Sequence, residues 1–302
     1  VLRALKAGQS IREIGPSWHN TKAGTPTMGG IIFIAAASLC TIAGGWRSML
    51  AGNFTHLYVL AFALIFGVIG FLDDFMKVKF KRNLGLTALQ KLALQLAAAG
   101  AYLALLRWNG DLTCDLYIPF WNVAFEINWI VYLIFAMFVI VGCVNAVNLT
   151  DGIDGLASGV TLPVMVFFAV TAYMWGKTTL ALLPAAMAGG LAGFLVYNFH
   201  PAKVFMGDTG SLFLGGMVCG LAFALDMPLV LILVGIIYIL ETVSVIMQVT
   251  YFKLTHGKRI FRMTPIHHHF EMGGWSEEKI FAVFVGVTVL MCILAFIGVR
   301  GR

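Results

Sequence analysis

The chain has 302 residues, of which 60% are hydrophobic and only 11% charged, with a formal net charge of +6 at pH 7. Mean hydropathy is +0.90. A soluble domain carries about 25% charged residues, so the composition excludes one and predicts an all-α polytopic integral membrane protein, with residues 1–302 forming one transmembrane domain.

Val1 opens the chain without Met, which predicts that part of the N-terminus precedes it. Nine apolar runs then follow, at 29–46, 57–72, 89–106, 129–147, 157–176, 179–197, 210–225, 228–249 and 280–298. Each is close to the ~20 residues that cross a bilayer as a helix. The segment TKAGTPTMGG, with Lys22 and Thr27, leads into the first run. The second ends in Asp73 and Asp74, and the third begins beside Lys91. Polar–aromatic alternation around Pro119, in the loop 108–128, predicts a short β-hairpin. Cys40, Cys114, Cys143, Cys219 and Cys292 are scattered, without metal-ligand spacing, and read as core or lipid-facing residues.

Basic residues orient the spans. With the first run starting inside, fifteen of the 20 Lys and Arg flank the inner ends, and only Arg47, Arg107, Lys177, Arg300 and Arg302 lie outside. The positive-inside rule therefore selects this orientation. It places Asp73-Asp74, NLTDGIDG, FMGDTG and PIHHHFE on one cytoplasmic face. A charge near the bilayer core costs a few kcal/mol or more, so acids there are functional candidates. Their one-sidedness predicts a single site for a divalent metal and a phosphate substrate.

The motifs carry different weights. Adjacent side chains on a helix lie about 100° apart, so Asp73 and Asp74 can serve one metal and one neighbour; the alternative is a solvated cap or a partner for Lys77. Asn148, Asp151 and Asp154 are spaced i, i+3, i+6 and are expected on one helical face, with N-capping as the alternative. Asp208, between glycines, suits an anion or metal site at a helix start, and again a cap is the alternative. His267, His268 and His269 are consecutive and point in different directions, which disfavours zinc and favours phosphate contact. Lys258 and Arg259 suit anionic lipid equally well. Glu241 and Gln248 are intramembrane polar groups that need partners. No Walker A or dinucleotide-binding glycine pattern is present in the sequence. Acids at span ends, without inverted repeats, disfavour a transporter.

Taken together, TPTMGG, FLDDFMK, NLTDGIDGLA, FMGDTGSLFLGG and PIHHHFE resemble the bacterial phospho-N-acetylmuramoyl-pentapeptide transferases, a branch of the polyprenyl-phosphate N-acetylhexosamine-1-phosphate transferases. The resemblance runs from Lys22 to the last span. The acid motifs are shared with sister enzymes that use UDP-GlcNAc, whereas TPTMGG and PIHHHFE look specific to the muramoyl branch. The resemblance implies transfer of phospho-MurNAc-pentapeptide from UDP to undecaprenyl phosphate, giving lipid I and UMP, with Mg²⁺. It implies a homodimer in the bacterial plasma membrane serving peptidoglycan synthesis, cell division and cell shape. It makes Asp208 the leading Mg²⁺ ligand, with Asp151 second, and Asp73 the base or nucleophile with Asp74 beside it. His268 joins the catalytic set, and Lys91 and His267 contact phosphates. Asn148, Asp151 and Asp154 serve the nucleotide-phosphate region, and Lys22, Thr27, Asn198, Phe205 and Gln248 line the nucleotide pocket. The family has ten spans, so a first helix is expected before Val1.

Overall fold

The computed structural model describes residues 24–80 and 85–302; Lys22 lies outside them, as do Arg3, Lys6, Arg12, Lys81 and Arg82. The described residues form α1 (Gly30–Leu50), α2 (Thr55–Phe80), α3 (Ala88–Trp108), β1 (Asp115–Ile118), β2 (Val123–Glu126), α4 (Trp129–Thr150), α5 (Leu156–Met174) and α6 (Thr178–Asn198). After these come α7 (Gly207–Ala224), α8 (Leu231–Val234), α9 (Ile236–Leu254), α10 (Ile266–Glu271) and α11 (Glu277–Val299). Nine of these helices are long and apolar enough to cross a membrane, matching the nine runs. The expected hairpin is present: β1 and β2 pair antiparallel, with Asp115 opposite Glu126 and Ile118 opposite Val123. Its turn closes over the end of α11, where Phe120 N–H donates to the Gly298 carbonyl at 2.8 Å.

Two expectations change. The run 228–249 is not one helix: it opens with a 3₁₀ turn at Pro228–Val230, continues as α8 and is interrupted at Gly235 before α9. The segment NLTDGIDG is not one helical face either. Helix α4 ends at Thr150, and residues 151–155 form a turn before α5. Glycine there favours the break, since Gly155 sits at φ 74°, a left-handed conformation that glycine adopts without a steric cost. Gly155, with no side-chain cap, also occupies the N-cap of α5, so neither Asp151 nor Asp154 caps that helix.

Helix α7 is the axis of the bundle and is buried along almost its whole length. Small residues explain its position. Lipid supplies no hydrophobic drive between helices, so close van der Waals approach through glycine matters more. Side chains at Gly30 and Gly210 would collide with each other's helix, and one at Gly215 would meet the Val144 backbone. Gly70 of α2 lies against the Asp208 carbonyl at the start of α7. Tyr102 of α3 adds a hydrogen bond from its hydroxyl to the Gly220 carbonyl at 2.7 Å. Gly70→Ala is therefore expected to push the first turn of α7 aside and to cost about 1–3 kcal/mol, despite the better helix propensity of alanine. Thermal unfolding in detergent, with and without the substitution, measures it.

Candidate active site

The polar ends of α2, α3, α4 and α7 meet at one point. Asp73 and Asp74 close the apolar face of α2 and are only 4% and 5% exposed. As the 100° offset predicts, they turn to different partners. Asp74 reaches across to α7, where Oδ1 accepts from Asp208 N–H at 3.2 Å. Its Oδ2 accepts from the Thr209 N–H and hydroxyl at 2.9 and 2.8 Å. The carboxylate thus satisfies two of the free N–H groups that every helix N-terminus exposes. Asp73 instead accepts from Leu86 N–H through Oδ1 at 2.8 Å and pairs with Lys77, one turn later, through Oδ2. A side chain on Gly85 would strike the Asp73 carboxylate, which explains a glycine there.

Asp208 completes the cluster. Its Oδ1 accepts from Asn148 Nδ2 at 2.8 Å, and that amide also donates to Ser211 Oγ at 2.8 Å. Its Oδ2 accepts from Lys77 Nζ at 2.8 Å and Lys91 Nζ at 3.4 Å. Ligand atoms of Asp73, Asp74 and Asp208 all lie within 4.8 Å of one another. Asp208 is not the N-cap of α7, a position held by Met206 without a side-chain bond. Thr27 stands beside this group: a side chain on Gly207 would meet both Thr27 Oγ1 and Asp74 Oδ2.

The three acidic and amide positions of NLTDGIDG separate once the helix ends. Asn148 belongs to the Asp208 cluster, whereas Asp154 belongs to a second one. Asp154 Oδ2 bonds His200 Nδ1 and accepts from Ala202 N–H, both at 2.9 Å, while Asp154 N–H donates to Glu277 Oε2 at 3.0 Å. Asp154, His200 and Glu277 form the other group close enough to hold a cation among the described residues. Asp151 lies between the two. The group of three acids close enough to hold a cation around Asp208 is Asp73, Asp74 and Asp208, without Asp151. Burial, and then the negative charges of Asp208, Asp74 and Asp154, hold the Asp151 carboxyl well above its ordinary value of 3.8.

That shift has a sign that can be measured. A carboxyl raised on folding stabilises the fold while it stays protonated, and the contribution is lost as pH rises through the folded value. In chelator-treated protein, Asp151→Asn is therefore expected to raise the midpoint of thermal unfolding at neutral pH. The variant's midpoint should also fall less steeply than the parent's as pH rises from about 4.

The remaining residues named from sequence are more dispersed. Asn198 is buried, accepts from Ser158 Oγ at 2.9 Å and donates to the Val204 carbonyl at 2.9 Å, so its amide links α5, α6 and the segment before α7. Phe205 is half-buried, and its backbone pairs with Pro26 and Gly29. Gln248 accepts from Ile260 and Phe261 N–H, both at 3.0 Å, and holds the strand of chain after α9. His268 Nδ1 bonds Glu271 Oε2 at 2.8 Å. His267 is fully buried and bonds Glu241 Oε2 through Nδ1 at 3.0 Å. Sequence reasoning missed Lys77 as a member of the site and missed His200 and Glu277 altogether. Lys77 had a signal, its position four residues after Asp73. His200 and Glu277 meet Asp154 only through the packing of α6 and α11.

Carboxylates, lysines and an amide gather at one end of a bundle of helices long and apolar enough to cross a membrane, which makes the chain a membrane protein with a polar, cation-ready cluster among the described residues at that end. Comparison with known proteins agrees: residues 56–226 match the model of glycosyl transferase family 4, and residues 22–34 match phospho-N-acetylmuramoyl-pentapeptide-transferase signature 1. The chain is 48% identical over 299 residues to the phospho-N-acetylmuramoyl-pentapeptide-transferase of Clostridium acetobutylicum, covering 98% of this chain and 92% of that protein. It is 46% identical over 297 residues to that of Listeria monocytogenes, covering 97% and 91%. It is 48% identical over 299 residues to that of Caldanaerobacter subterraneus, covering 98% and 90%. The chain belongs to the phospho-N-acetylmuramoyl-pentapeptide-transferase family.

Proposed function

We propose that the cluster of Asp73, Asp74, Asp208, Lys77, Lys91 and Asn148 transfers phospho-MurNAc-pentapeptide from UDP-MurNAc-pentapeptide to undecaprenyl phosphate, releasing UMP and giving lipid I. Convergence of both lysines on Asp208 Oδ2 carries this reading. Two anionic phosphates must meet in the reaction, and two ammonium groups beside them offset their repulsion.

The carboxylates divide the work. Both oxygens of Asp74 are engaged by the first turn of α7, so Asp74 holds Asp208 in place. Asp73 Oδ2 is held by Lys77, whose side chain is 31% exposed and free to swing onto a phosphate. That swing releases Oδ2 to accept the proton of the lipid phosphate, or to attack the sugar-linked phosphorus with UMP as the leaving group, the lipid phosphate then displacing the carboxylate. The donor set also fits a metal. Mg²⁺ takes oxygen ligands and is usually held by one or two carboxylates together with substrate phosphates. Asp208 is the residue that would hold it, since Asp74 is engaged elsewhere and Asp73 Oδ2 is reserved for the lipid phosphate. When bound, Mg²⁺ would neutralise the diphosphate and the departing UMP.

In this reading the site faces the cytoplasm of a bacterial plasma membrane, because basic residues crowd that side, and His268, Thr27 and Gln248 border the donor. The accompanying homodimer is tested by light scattering of the detergent-solubilised protein. The deciding assay follows UMP release from UDP-MurNAc-pentapeptide with undecaprenyl phosphate, with and without Mg²⁺. Turnover that requires the cation and fails with UDP-GlcNAc is expected. Turnover of UDP-GlcNAc alone would transfer the chain's chemistry to the sister substrate.

A further inference from the structure

A carboxylate and an imidazole are sealed together behind the acid loop. Glu241, in the span α9, and His267, in α10, are each fully buried. Glu241 Oε2 bonds His267 Nδ1 at 3.0 Å and lies 3.5 Å from its backbone N–H. Glu241 Oε1 and His267 Nε2 have no hydrogen-bond partner among the described residues. The free edge of the ring is not empty space. A side chain on Gly152 would collide with Nε2 and Cε1, so the ring rests directly on the Gly152 backbone, in the turn that carries Asp151 and Asp154.

Burying a carboxylate in a span is costly, and an apolar residue of the same size would hold the helix better. A hydrogen bond to Nδ1, in contrast, fixes both the tautomer and the plane of an imidazole. With zero exposure, His267 is enclosed in this arrangement. We propose that Glu241 is a positioning residue for the acid loop, acting through His267: the carboxylate locks the ring, and the locked ring sets where Gly152, and with it Asp151 and Asp154, stands. This rests on the reading that those two acids serve the transfer reaction.

The test uses the purified full chain in detergent and reads kcat, KM for UDP-MurNAc-pentapeptide and the midpoint of thermal unfolding. Glu241→Gln keeps an oxygen that accepts from Nδ1–H, so its kcat should stay within about threefold of the parent. Glu241→Leu removes the acceptor and should lower kcat by about tenfold or more. Gly152→Ala should also lower kcat and the unfolding midpoint. In a His267→Ala background the same alanine meets a vacated space, so the double variant should be no worse than His267→Ala alone. Parental kcat in Glu241→Leu, or losses from Gly152→Ala and His267→Ala that multiply, would overturn the proposal. Should Glu241→Leu not fold, Glu241→Gln decides, since a tenfold loss there rejects the hydrogen-bond role. An unmutated protein that releases no UMP, with the Gly152–His267 coupling still visible in thermal unfolding, would remove the transferase reading and leave the brace.

Discussion

Asp208→Asn is expected to lower UMP release by at least ~100-fold, equivalent to about 2.7 kcal/mol of barrier. The amide is nearly the size of the carboxylate, so α7 should still pack and the variant should fold. What it loses is charge. Oδ2 is where Lys77 and Lys91 converge and where a divalent cation would find its first carboxylate. The Asn148 contact is also weakened, because one amide N–H can no longer be matched by a charged acceptor. The check is steady-state UMP release across a range of Mg²⁺ concentrations. Turnover near that of the parent at ordinary Mg²⁺ would show that the cation is held elsewhere, with Asp154, His200 and Glu277 as the other described group to test.

Lys77→Met should produce a comparable loss of turnover with the opposite effect on metal dependence. Lys77 is bonded to Asp208 and paired with Asp73, and it lies 3.9 Å from Asp74. Removing it leaves three carboxylates facing one another without their nearest positive charge. Breaking a fully buried ion pair costs about 3–5 kcal/mol. Lys77 is about a third exposed, so about 1–2 kcal/mol is the expected fall in the stability of metal-free protein. Millimolar Mg²⁺ should restore much of that stability by supplying the missing charge. It should not restore turnover, because a swinging ammonium is still absent. Thermal unfolding with and without Mg²⁺, beside the UMP assay, separates the two effects. A variant as stable and as active as the parent would remove Lys77 from the site.

Gly70 and Gly85 show why the site tolerates so little change in its backbone. Each lies against a carboxylate-bearing segment, Gly70 against the Asp208 carbonyl and Gly85 against Asp73. The acids are held at the closest points of approach between helices, so substitutions that leave every polar group intact can still displace the chemistry.

The sequence by itself determined the class of the molecule, a multi-pass membrane protein, and the motifs that carry its polar chemistry. Nine apolar runs and the bias of the basic residues are local properties, set by the bilayer rather than by partners. Asp73, Asp74, Asn148 and Asp208 were legible because a polar group at the edge of an apolar run needs a reason to be there. The hairpin around Pro119 was legible for a similar local reason, its alternation of polar and aromatic residues. Tertiary structure decided how the acids are grouped. Helical spacing predicts one face for Asn148, Asp151 and Asp154, yet α4 stops at Thr150 and sends Asp154 to His200 and Glu277. It also decided that Asp74 binds the first turn of α7 while Asp73 faces Lys77, and that buried His267 meets Glu241. Those partners are 26 to 135 residues apart in the chain wherever the bond joins two helices. The pairing of Asp74 with α7 arises where glycines let that helix approach its neighbours closely, and no spacing within a single segment encodes these contacts.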